Sequence, residues 1–147
     1  MAKIFTYGTL EIPDVMAMVT GKSFSTIPAI AQEFARFLLK NRIYPGMIAA
    51  PGEHTTGCLY VNVGQESLEL LDQFEDDLYI RQEITVSTTL GSTMEAYAYL
   101  IPPNQQFCLS PNSWDRRYFE QHHLKPYLEA CKEFHSHAVM ANLNKQV

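Results

Sequence analysis

Apolar and polar positions change period several times along this chain, and each change marks an element. Lys3 to Tyr7 reads as a strand ending in a Tyr7-Gly8-Thr9-Leu10 turn, where glycine permits backbone angles and a close ligand approach that a β-carbon forbids. Asp14 after Pro13 is placed to cap a short helix, Val15 to Val19, with Gly21 as its stop. Tyr44-Pro45-Gly46, Met47 to Ala50 and Pro51-Gly52 exclude helix and predict irregular backbone with short extended pieces. Gly57 to Val63 is β-rich and nearly continuously apolar, as in a central strand covered on both faces. Between Glu66 and Phe74, Leu68, Leu70, Leu71 and Phe74 fall at helical spacing while Glu69, Asp72 and Gln73 face away, which leaves Glu75 at the C-terminal end of an amphipathic helix.

Tyr79 to Thr88 alternates Ile80, Gln82, Ile84 and Val86 against Arg81, Glu83, Thr85 and Ser87. A Leu90-Gly91-Ser92 turn then leads into Met94 to Ile101, where Ala96, Ala98 and Leu100 oppose Tyr97 and Tyr99, so the pair predicts a β-hairpin. Past Pro102-Pro103, Asn112 or Ser113 is placed to cap a helix from Trp114 toward His135, interrupted near Pro126, with a tail expected to fray after His137. Ala29 to Lys40 stays ambiguous, because its Ala, Glu, Leu and Lys favour helix while Phe34, Arg36 and Leu38 alternate with Ala35, Phe37 and Leu39.

Composition narrows the class. A chain of 147 residues, 46% of them hydrophobic, fits one globular domain over 1-147 that buries a core without metal or disulfide staples. Net charge is -5 with both signs scattered, so the basic footprint that nucleic acid or an anionic membrane requires is missing, and neither is expected as a partner. The chain carries no apolar run of membrane-spanning length and its first residues do not resemble a secretory signal, so a cytoplasmic location is expected. Cys58, Cys108 and Cys131 are widely spaced and form no CxxC pair, which reads as reduced, mostly buried thiols.

Glu75 is the first candidate for chemistry. The helix end before it, the neighbouring Asp72, Asp76 and Asp77, and the apolar Phe74 and Leu78 all disfavour ionisation, and a carboxyl group held near working pH suits general acid/base work. Local sequence by itself favours an ordinary solvated acidic turn. The Tyr7 to Leu10 loop, lying between a strand and a helix, is placed to aim backbone N–H groups at a carboxylate or oxyanion, although tight turns of this composition are common. His122-His123 and His135-x-His137 lack a patterned ligand set and read as surface histidines. No G-x-S-x-G, G-x-x-x-x-G-K-[ST] or G-x-G-x-x-G motif occurs, so neither a serine nucleophile nor a nucleotide cofactor is indicated.

In order along the chain, Tyr7-Gly8-Thr9-Leu10, Arg42-Ile-Tyr44-Pro45, Gly57-Cys-Leu-Tyr60, and Leu71-Asp72-Gln73-Phe74-Glu75-Asp76 followed by Tyr79-Ile-Arg81 resemble the γ-glutamylcyclotransferase-like superfamily, in its branch of plant avirulence-induced-gene-like proteins and their bacterial relatives. The resemblance implies an α+β fold, a compact mixed β-barrel with flanking helices, in which Ala29 to Lys40 is extended. It implies an enzyme, a transferase or lyase that forms 5-oxoproline from a γ-glutamyl amide or amine, with Glu75 as general acid/base. Tyr7, Gly8, Thr9 and Leu10 would hold the substrate, and Tyr79 and Arg81 would wall the pocket or position Glu75. For Tyr79 and Arg81 an outward-facing structural role is an equal reading. Tyr44-Pro45-Gly46 would border the mouth, whereas Tyr97, Tyr99 and Trp114 read as core. The implied chemistry needs no metal or organic cofactor, and the implied partner is a small γ-glutamyl substrate. Two other functions stay open, a non-catalytic protein binding a small carboxylate and an acyl-removing lyase of small-molecule biosynthesis. The sequence leaves oligomeric state undecided, with monomer favoured.

Overall fold

The computed structural model describes residues 1–75 and 77–145. Its strands are β1 (Ala2–Thr6), β2 (Thr26–Leu38), β3 (Pro45–Val63), β4 (Ile80–Thr88) and β5 (Thr93–Leu100). They close into a barrel in the order β1-β3-β2-β4-β5. Neighbours are antiparallel except β1 and β5, which run parallel and close the barrel where Ile4 faces Tyr97. Around it lie α1 (Pro13–Thr20), α2 (Gln65–Phe74), α3 (Arg116–His122) and α4 (Leu124–Lys145). This is the mixed barrel with flanking helices that the motifs implied.

Strand alternation sorts the apolar residues into two cores. Phe5, Ala29, Ala31, Met47, Leu59, Val86, Ala96 and Ala98 of the strands cluster with Tyr7 of the loop after β1 as the barrel interior, where the alanines give the room that Phe5 and Met47 fill. Ile4, Tyr60, Val63 and Tyr99 point the other way and meet Val15, Met16, Val19, Leu68, Leu71 and Phe119 of the helices. Each fully buried Leu or Val side chain adds roughly 1.5–3 kcal/mol to the fold.

Ala29 to Leu38 is extended, as part of β2, because β3 pairs with it almost along its length and supplies the backbone partners a helix would have made internally, while Leu39 bridges to Leu109 and Lys40 begins a turn. Tertiary pairing overrides helix propensity here. Where irregular backbone and short extended pieces were expected up to Gly52, the chain from Pro45 is one 19-residue strand, β3, that runs on through the strand expected at Gly57 to Val63. Its irregularity sits at a bulge: pairing jumps from Gln32 opposite His54 to Phe34 opposite Ala49, Glu33 takes a positive φ of 66°, and its Oε2 accepts from the Gly52 N–H at 2.6 Å. Pro51 is tolerated there because a bulge interrupts the ladder.

The helix boundaries also differ from expectation. Asp14 lies in the first turn of α1 rather than at its cap, while Gly21 closes that helix with φ 74°. The cap of α3 is Asp115, whose Oδ1 accepts from the Arg117 N–H at 2.9 Å, not Asn112 or Ser113. The break falls at His123 instead of Pro126, which lies in the first turn of α4, where a missing N–H is harmless. Helix α4 continues past His137 to Lys145, held by packing on α1, by buried Cys131 and Ala138, and by His135, whose Nδ1 lies 2.9 Å from the Val19 carbonyl. His135 thus serves as an inter-helix contact. Burial pushes the Cys131 thiol up to about 12, so it stays protonated. Asp76, part of the acidic run after α2, lies outside the described residues. Among those described, no helix is long and apolar enough to cross a membrane.

Candidate active site

A cavity of about 230 Å³ lies where β1 leaves the barrel. Its floor is the loop after β1. Tyr7 is fixed at both ends: its hydroxyl donates to the Tyr99 carbonyl at 2.5 Å, and its own carbonyl accepts from Arg36 Nη1 at 2.6 Å. Gly8 follows with φ -135° and ψ -135°, and a β-carbon there would stand 2.8 Å from the Pro45 ring. The glycine is therefore required by the approach of Pro45. Thr9–Glu11 then makes a 3-10 turn in which the Glu11 and Ile12 N–H groups donate to the Gly8 and Thr9 carbonyls at 3.0 and 3.1 Å. Amides at the start of such a turn precede its internal hydrogen bonds. The Tyr60 hydroxyl, donating to the Leu10 carbonyl at 2.8 Å, holds the far end of the loop.

Glu75 forms the facing wall. The amphipathic face of α2 packs Leu68 and Leu71 on the barrel, and its last turn delivers Glu75, whose N–H donates to the Leu71 carbonyl at 2.9 Å before the chain turns extended. One turn earlier, Asp72 Oδ1 accepts from the Tyr99 hydroxyl at 2.7 Å and from Arg81 Nε at 2.9 Å. The Arg81 guanidinium lies 4.6 Å over the Tyr97 ring. These contacts fix the end of α2 against β4 and β5.

Aromatic side chains complete the enclosure. The Tyr79 hydroxyl donates to the Pro45 carbonyl at 2.7 Å, and the Tyr127 hydroxyl lies 3.0 Å from Thr9 Oγ1. Phe74 meets the Tyr127 ring edge to face with centroids 6.4 Å apart. Burial raises the phenols of Tyr7, Tyr79, Tyr99 and Tyr127 above their ordinary value, and the charge of Glu75 adds to the rise in each. All four are therefore protonated near neutrality. The site offers a carboxylate, neutral phenols and backbone amides in a largely apolar enclosure, and among the described residues no three or more His, Cys, Asp or Glu gather as a metal site would need.

Tyr7, Gly8, Thr9, Leu10, Glu75 and Tyr79 all line this one cavity, while Arg81 does not and pairs with Asp72 beside it. Of Tyr44-Pro45-Gly46, expected at the mouth, Tyr44 and Pro45 lie in the lining and Gly46 does not. Sequence reasoning passed over Arg36, which lay inside the ambiguous segment, and read Tyr99 only as core; it is buried at 5% exposure but also faces the cavity. Tyr127 was passed over as well, for no local pattern sets it apart.

Known proteins share the family and the fold of this chain. AIG2-like protein D of Arabidopsis thaliana is 29% identical over 136 residues, covering 91% of this chain and 89% of the relative. AIG2-like protein C of the same plant is 27% identical over 131 residues, covering 89% and 76%. Among solved structures, a protein of Arabidopsis thaliana superimposes with a TM-score of 0.67 at 24% identity, covering 88% of this chain and 87% of that one. A gamma-glutamyl cyclotransferase does so with a TM-score of 0.58 at 16% identity, covering 89% and 86%. Those two likenesses establish the fold alone. The model of the family described as gamma-glutamyl cyclotransferase, AIG2-like, matches residues 4–116, the span that holds the barrel, the loop after β1 and Glu75, and the chain belongs to that family.

Proposed function

We propose that this protein converts a γ-glutamyl amide into 5-oxoproline and a free amine. Glu75 accepts a proton from the substrate's α-ammonium group. The freed amine attacks the γ-carbonyl carbon and forms the C–N bond of a five-membered ring, Glu75 passes its proton to the departing nitrogen as the original amide C–N bond breaks, and the second proton shed by the ring nitrogen goes to the released amine, which leaves as its ammonium ion. The atoms of the substrate are shared between the two products, and water is not consumed.

Nucleophile and electrophile belong to one molecule, so the protein's task is to fold the substrate into the reactive conformer, bind its charge and pass protons from the ring nitrogen to the departing amine. The amides of the Tyr7 to Leu10 loop are suited to the glutamyl carboxylate or to the developing oxyanion, and rigid donors that need no reorganisation stabilise such charge best. Tyr79 walls the site, and Arg81 acts through Asp72 as a positioning residue. The observation that carries this reading is that Glu75 and the Tyr7 to Leu10 loop line the same small cavity.

The test is release of 5-oxoproline from a panel of γ-glutamyl amides by the wild-type protein and by Glu75→Gln. The variant is expected to fold normally and to lose turnover by between about a hundredfold and ten-thousandfold, the usual weight of a general acid/base. Undiminished turnover by Glu75→Gln would remove Glu75 from the mechanism, and specific binding of γ-glutamyl ligands without any product would indicate a non-catalytic carboxylate-binding protein.

A further inference from the structure

The cavity divides by burial. Of its lining, Tyr7, Leu10, Pro45 and Tyr99 are buried, whereas Tyr44, Phe74, Glu75, Tyr79 and Tyr127 are half-buried and set its more open side. A substrate whose glutamyl end takes the backbone amides of the floor leaves its amine substituent at that open side, inside a collar of aromatic rings. Among the described residues, the lining includes no lysine, arginine or histidine. A leaving group with its own carboxylate would lose hydration there without a cation to replace it and would meet Glu75 as a like charge. An aromatic or bulky apolar amine would instead bury carbon surface against rings.

Tyr127 is the member of this collar that lies outside residues 4–116, the span shared with the family model. It comes from the first turn of α4, with its hydroxyl 3.0 Å from Thr9 Oγ1 and its ring edge-on to Phe74 and to Phe119, at 6.4 and 5.2 Å between centroids. Contacts on three sides make it a fixed wall. We infer that Tyr127 is a specificity-determining residue, and that the substrates are γ-glutamyl amides of amines with an aromatic or bulky apolar body and no carboxylate. This rests on the γ-glutamyl reading above.

Binding and turnover are measured separately so that the two can fail separately. Glutaric acid mono-benzylamide and mono-methylamide lack the α-amine and cannot cyclise, so calorimetry with them reads the collar alone. The wild-type protein is expected to bind the benzylamide at least about tenfold more tightly than the methylamide, as filling an apolar pocket allows. Tyr127→Ala should erase that ratio while leaving methylamide affinity nearly unchanged. Tyr127→Phe, which keeps the ring, should preserve it. If Tyr127→Ala does not fold, Tyr127→Leu, which fills the space without a planar ring, reads the same ratio. In turnover, γ-glutamyl-benzylamide should exceed γ-glutamylphenylalanine by at least about tenfold in kcat/KM.

An unchanged ratio in a folded Tyr127→Ala or Tyr127→Leu, no binding of either glutaramide to the wild-type protein, or equal turnover of the carboxylate-bearing substrate would each overturn this inference. The expected binding ratios without any 5-oxoproline would uphold the collar and overturn the catalytic reading.

Discussion

The Tyr99 hydroxyl donates to Asp72 Oδ1 at 2.7 Å, while the Tyr99 carbonyl accepts from the Tyr7 hydroxyl. One residue of β5 thereby joins the last turn of α2, which ends at Glu75, to the loop that floors the cavity. Glu75 and the Tyr7 to Leu10 loop, the two sides of the proposed site, are thus both tied to the same strand.

Tyr99→Phe keeps the ring and the carbonyl but removes the hydroxyl that holds Asp72. Losing that hydrogen bond should cost about 1 kcal/mol of stability. A misplaced proton-transfer group loses rate more than affinity, so kcat should fall about tenfold with KM nearly constant. Steady-state kinetics alongside thermal unfolding checks this, and an unaltered kcat would show that α2 is held well enough without the contact.

Gly8→Ala places a β-carbon 2.8 Å from Cγ and Cδ of Pro45. Overpacking of this kind costs roughly 1–3 kcal/mol, so the unfolding temperature should drop by several degrees. Pro45→Ala in the same chain removes the opposing ring and should restore part of the loss, while the Tyr79 hydroxyl keeps the backbone carbonyl it donates to. A double variant no more stable than Gly8→Ala would mean that the glycine is required for another reason.

Alkaline pH should unfold the protein through its buried phenols. Burial raises Tyr7, Tyr79 and Tyr99 above their ordinary value of 10.0, so the folded chain keeps protons that the unfolded chain releases. Stability from these groups is complete below about pH 10 and is lost as pH climbs toward the folded values. Thermal midpoints should fall steadily above that pH, and tyrosinate absorbance should rise together with unfolding. Free ionisation of these phenols in a still-folded chain would contradict their burial.

Elements whose partners lie nearby in the sequence were legible from local pattern alone. The β4–β5 hairpin matched because its alternation and turn carry their own register, with Ala96 and Ala98 inside the barrel and Tyr97 and Tyr99 outside it. The helix that ends at Glu75 matched because Leu68 and Leu71 mark its buried face. The order of the motifs was enough to point to the family and its barrel, and it singled out Glu75 and the loop from Tyr7 to Leu10. Tertiary structure decided the rest. Ala29 to Leu38 is strand because β3, distant in sequence, supplies its hydrogen bonds, and Gly8 is glycine because Pro45 comes against it from across the fold. Arg81 braces Asp72 instead of lining the cavity, and Tyr127 enters the cavity from the far end of the chain. Periodicity records which face of an element is buried, but which distant side chain meets it depends on closure of the barrel and docking of α4, contacts that neighbouring residues do not encode.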